Sequence, residues 1–202
     1  MNSKQINQKF FYKGFKALLF LFFFLISHVA FAQTDFLGIS SITLGGQVYS
    51  LKWSVNNARQ ERIIQEYLLP DESITRYNTK LILEYIRTGK TVEDIVDAKL
   101  DNLGNEKQEG RVLNFKKLES ADPDEMVLEF MVGNMREGKT RSIEWNVYRY
   151  KPTSEGIILF IMSKRAYGEK NVNAFMKKVN ENRLNWINSI VNYELPEISV
   201  KK

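Results

Sequence analysis

Hydrophobic and polar positions alternate with a period of two along much of the chain and with a period near 3.6 in two stretches. Residues 47–55 place Tyr49, Leu51, Trp53 and Val55 on one side, the pattern of a half-buried strand. Asn56 and Asn57 turn the chain into a second strand over 62–69. Pro70, Asp71, Glu72 and Ser73 supply turn chemistry and cap a short helical turn over 74–78. Residues 80–87 form a third strand, closed by Gly89. Thr91, with Asp94 three residues on, opens a helix. Its apolar stripe is Val92, Ile95, Val96, Leu100 and Leu103, and Gly104 ends it. Four strands follow at 111–118, 125–132, 141–151 and 156–165, with breaks short enough for antiparallel hairpins. Residues 156–162 are apolar on both faces, as in a central strand. Residues 171–193 form a second helix, and Pro196 ends the regular structure.

The predicted order is β-β-β-α-β-β-β-β-α. The fold class is therefore α+β, a single domain with a largely antiparallel sheet of about seven strands and two main helices packed on it. Residues 47–195 hold that domain. Residues 33–46, rich in Gly and Ser, read as a flexible lead-in, and 196–202 as a C-terminal tail.

A different pattern occupies the first 32 residues. Lys4, Lys9, Lys13 and Lys16 precede an apolar run over 17–26, and Ala30-Phe31-Ala32 follows it. A basic region, an apolar core and a small-x-small site in that order mark a secretory signal peptide. The run is shorter than the roughly 20 residues of a spanning helix. Cleavage after Ala32 is expected, with recognition through Ala30 and Ala32 and a new terminus at Gln33. No cysteine follows the apolar run, so a lipoprotein anchor is excluded and no stable membrane anchor is expected after cleavage. The Phe-rich leader ending in Ala-Gln resembles those of Gram-negative bacteria of the Bacteroidetes type. That resemblance implies a periplasmic or secreted location.

Cleavage changes the composition. Four of the 29 basic residues and none of the 24 acidic ones lie in the leader, so residues 33–202 carry 25 and 24. A near-neutral domain gives no bulk-charge reason to bind nucleic acid. The chain has no Cys, and its one histidine is His28, within the leader. Disulfides, His-dependent triads and His or Cys metal sites are thereby excluded from the exported part. Carboxylate, Lys, Tyr and Ser/Thr chemistry remains.

Within that repertoire, Glu66, Asp71 and Glu72 read as a solvated turn, and Glu93, Asp94, Asp97 and Asp101 as an acidic helix face. Asp122, Asp124 and Glu125 lack the spacing and central glycine of a calcium loop, so no metal and no cofactor is expected. Ser163 and Lys164 miss the Ser-x-x-Lys pattern, because residue 166 is Ala. The densest polar-aromatic stretch is 141–150. On a strand, Ile143, Trp145 and Val147 share one face with Arg149. Glu144, Asn146, Tyr148 and Tyr150 share the other, and these four are the candidate binding residues. Tyrosine offers rigid contact area plus a hydroxyl. The competing reading of that face is cross-strand packing under the final helix.

The segment 66–82 runs from Glu66 through Pro70, Asp71 and Glu72 to Tyr77 and into the next strand. It resembles small secreted bacterial proteins of unknown function with a Mog1/PsbP-like α/β fold, in which Trp often stands at the position of Tyr77. The resemblance implies an adaptor or accessory role and carries over no catalytic residues. The expected function is an exported, non-catalytic binding or interaction module, with another envelope or secreted protein as a partner. Two alternatives stand beside it. A carboxylate-based periplasmic hydrolase needs two acids converging at roughly 5 or 6.5–9.5 Å. A carrier of a small apolar ligand needs a large apolar cavity.

Overall fold

A computed structural model describes residues 33–120, 122–196, 198 and 200. The leader, with Ala30 and Ala32 of its cleavage site, lies outside the described residues, and Gln33 is the first of them. The chain folds as an α+β domain built on one antiparallel sheet. The strands are β1 (Ser41–Leu44), β2 (Gln47–Asn57), β3 (Arg62–Leu68), β4 (Thr79–Arg87), β5 (Val112–Leu118), β6 (Met126–Arg136), β7 (Lys139–Thr153) and β8 (Gly156–Tyr167). Their order across the sheet is β1-β2-β3-β4-β8-β7-β6-β5. The long apolar strand β8 therefore sits between β4 and β7, as its two apolar faces require.

Two helices pack on opposite faces. Helix α1 (Val92–Gln108) sets Val92 and Val96 against Leu128, Tyr150, Leu159 and Ile161. Helix α2 (Val172–Val191) sets Phe175, Val179, Ile187 and Ile190 into a larger core with Trp145, Val147, Phe160 and Met162. The alternation along β7 and β8 sends successive side chains to these two cores.

The sheet has eight strands where the pattern suggests about seven. The additional one, β1, lies inside the segment 33–46 that reads as a flexible lead-in. Distant residues hold that segment down. Gln65 on β3, wholly buried, accepts the Leu37 N–H at 2.8 Å and donates to the Ile39 carbonyl at 3.2 Å. The Tyr67 hydroxyl donates to the same carbonyl at 2.9 Å. Leu37 and Ile39 are buried as a result. Two further expectations change. Helix α1 runs through Gly104 to Gln108, because buried Leu103 anchors that turn, and Gly110 at φ 76° follows its end. The helical turn expected over 74–78 is instead a tight turn in which Ser73 and Arg76 exchange backbone hydrogen bonds at 3.0 and 3.1 Å.

Among the described residues no helix is long and apolar enough to cross a membrane.

Candidate functional site

The start of β4, the end of β8 and the connection after β3 meet at one end of the sheet. Strand alternation divides their side chains between the two faces. Ser163 and Arg165 turn toward the α1 face, and Lys164 between them turns toward α2.

The α1 face is a network of satisfied charges. Tyr77 is buried, its hydroxyl donating to Glu144 Oε2 at 2.7 Å. The Arg165 guanidinium pairs with the same carboxylate and lies 4.5 Å from the Tyr77 ring centre. Lys80 stands 4.7 Å from that ring and pairs with Glu66 at 2.8 Å. Burial, reinforced by the Glu144 charge, pushes the Tyr77 phenol far above its ordinary range.

This network fixes where the candidate binding residues lie. Glu144 is half-buried between Tyr77 and Arg165. Asn146 is buried beside it and accepts from Ser163 Oγ at 2.6 Å, while its Nδ2 has no partner. Tyr148 is half-buried, with its ring 4.8 Å from Phe130 and 6.3 Å from Tyr150. Tyr150 is buried beneath α1. Desolvation raises both phenols. The face therefore packs under the first helix, not the final one. Arg149, on the other face, reaches the end of α2 and donates to the Ile190 and Tyr193 carbonyls at 3.2 and 2.7 Å.

The α2 face presents the open chemistry. A cavity of about 270 Å³ lies between β4, β8 and α2, lined by Thr79, Lys164, Arg165, Phe175, Lys178 and Trp186 among others. Lys164 Nζ donates to Thr79 Oγ1 at 3.0 Å and lies 4.4 Å from the Trp186 ring centre. Burial, then the Lys178 charge, pushes the Lys164 ammonium down to about 8, against an opposing pull from Glu72.

No carboxylate forms an ion pair with Lys164 or Lys178 among the described residues. Most other partly buried cations have one: Arg62 with Glu84, Lys80 with Glu66, Arg149 with Glu125, Arg165 with Glu144 and Arg183 with Glu129. Half-buried Lys52 and Lys99 are also without one among the ion pairs of the described residues; Lys99 lies over the Phe130 and Tyr148 rings at 5.0 and 5.7 Å and feels the charges of Glu106 and Glu84.

A stability effect follows. The folded Lys164 titrates near 8 and the unfolded side chain near 10.5, so the unfolded chain binds more protons between those values. Its contribution to stability rises with pH across that window and is least favourable below it. Lys164→Met is expected to gain about 1–2 kcal/mol at pH 7 and to lose that advantage near pH 10.5. Urea unfolding at both pH values checks this; equal stabilities at pH 7 would contradict the assignment.

In the sequence, Lys164 stands out only within the Ser-x-x-Lys pattern that Ala166 breaks. The available clue was positional: Ile158, Phe160 and Met162 are core residues, and Lys164 continues their face.

A family model of uncharacterised proteins matches residues 39–195, and the chain belongs to that family. The match begins at Ile39 and so takes in β1. No curated protein matches the chain.

Proposed function

We propose that the protein is an exported, non-catalytic binding module whose ligand site is the cavity between β4, β8 and α2. The observation that carries this reading is that Lys164 and Lys178 line the cavity while, among the described residues, no carboxylate forms an ion pair with either. The basic, apolar and small-x-small order of residues 1–32 supports export to the periplasm or beyond. An interaction with another envelope or secreted protein belongs to the same proposal. The order of strands and helices supports extending the family assignment to a Mog1/PsbP-like architecture.

The other two readings have less behind them. A carboxylate hydrolase needs free acids, and Glu66, Glu84, Glu125, Glu129 and Glu144 are each held by a cation. Glu72, half-buried, uses Oε1 to accept the Asn78 N–H at 2.6 Å, which holds the turn before β4. An apolar carrier needs an apolar cavity, and lysine and arginine line this one.

Equilibrium dialysis against a mixture of organic acids, amines and neutral compounds tests the proposal, using protein expressed from the full chain. Selective retention is expected, with the compound released unchanged. Ala174→Trp, which fills the cavity from α2, should abolish it. Conversion of a retained compound would overturn the non-catalytic reading. Retention unaffected by Ala174→Trp would overturn the location.

A further inference from the structure

We propose that the cavity takes a small carboxylate with a planar apolar body, the carboxylate held by Lys164 and Lys178 and the body lying against Phe175 and Trp186. The inference rests on the binding reading and names the ligand class for that site.

Charge argues first. Lys164 is desolvated and feels the positive charge of Lys178 across the cavity, and among the described residues no carboxylate forms an ion pair with either. A bound anion removes that repulsion and gains charge-assisted hydrogen bonds to both. Glu72 acts on Lys164 only at longer range. Arg165, which also lines the cavity, is committed to Glu144 on the opposite face.

The donor set argues second. Recognition of a phosphate typically uses a guanidinium fork or several backbone N–H groups. This wall offers two point charges and the Thr79 hydroxyl, which suits a singly charged carboxylate. Beside these groups the lining combines the polar Asn78 and Asn171 with the apolar Ala174, Phe175 and Trp186. The Trp186 ring packs against buried Trp145, with 5.4 Å between ring centres, which limits its freedom to move. At about 270 Å³ the cavity is at the small end of ligand sites, matching a single-ring acid.

Calorimetric titration at constant ionic strength tests this with three probes: benzoate, benzyl alcohol and inorganic phosphate. Benzoate should bind saturably. Lys164→Met and Lys178→Gln should each weaken it about tenfold, whereas Lys177→Gln, on the exposed side of the same helix, should leave it unchanged. Circular dichroism of each variant confirms the fold, and Lys178 is exposed, so its substitution spares the core. Phosphate binding as tight as benzoate would overturn the carboxylate class, as would benzoate binding indifferent to both substitutions. Saturable benzyl alcohol binding without benzoate binding would overturn the inference while leaving the binding-module reading in place. No saturable binding of any probe up to about 10 mM, together with no retention in the dialysis screen, would overturn both.

Discussion

Gly156→Ala is expected to cost about 3 kcal/mol or more of folding stability. Gly156 opens β8, where it pairs with Arg87 of β4 on one side and Thr153 of β7 on the other. A methyl group there would overlap the Ile86 carbonyl oxygen, and the Arg87 Cα lies 3.0 Å from the same point. Both obstacles are backbone, so no side-chain rotation relieves them. Either β4 shifts or β8 leaves its register, and β8 is the strand that joins the two halves of the sheet. The matched control is Gly89→Ala, where a methyl group meets nothing within 4 Å. Urea unfolding of the two variants should separate them clearly. A Gly156→Ala loss below about 1 kcal/mol would mean that β4 and β8 do not approach as described.

The second large effect concerns the charges that close α2. Glu125 and Arg149 are both buried and joined by two hydrogen bonds, Nε to Oε2 at 2.6 Å and Nη2 to Oε1 at 2.9 Å. Lys151 adds a third bond to Oε1 at 2.8 Å. Burial alone would push the Glu125 carboxyl up, but the hydrogen bonds from Arg149 and Lys151 outweigh it and hold the carboxyl below its ordinary value. Glu125→Ala leaves the Arg149 guanidinium buried without its anion, and should cost about 3–5 kcal/mol. The double variant Glu125→Leu, Arg149→Met removes both charges and should recover much of that loss, less the two bonds from Arg149 to the end of α2. Because the folded carboxyl is depressed, its contribution is present above the unfolded value of 4.5 and is lost as pH falls through the lower folded value. Wild type should therefore lose stability in acid more steeply than the double variant. Unfolding midpoints at pH 7 and pH 3 check both statements. A double variant no more stable than the single one would contradict the buried-charge account.

The architecture was largely legible in the alternation of the chain. The apolar run 156–162 placed β8 in the middle of the sheet, and the period-two pattern of 141–150 separated Trp145 and Val147 from Tyr148 and Tyr150. What alternation lacks is any record of which helix covers which face. It also missed β1. Four residues are too few for a period; β1 is held by its pairing with β2, and Gln65 and Tyr67, more than twenty positions away, tie down Leu37 and Ile39 just before it. The candidate site was hidden for the same reason. Lys164, Thr79 and Lys178 come from two strands and a helix, and Lys164 and Thr79 are 85 positions apart. Glu144 stood out in the sequence as one of a polar row. Its partners Tyr77 and Arg165, 67 and 21 positions away, turn it from an open contact residue into the keystone of a closed network.

The central claim is that the cavity beside Lys164 holds a ligand. Its most direct test is mass spectrometry of small molecules released from protein purified from cells expressing the full chain, with no ligand added. Wild type should release a carboxylate-bearing compound that Ala174→Trp, purified in parallel, does not. Identical small-molecule profiles from the two proteins would contradict the claim.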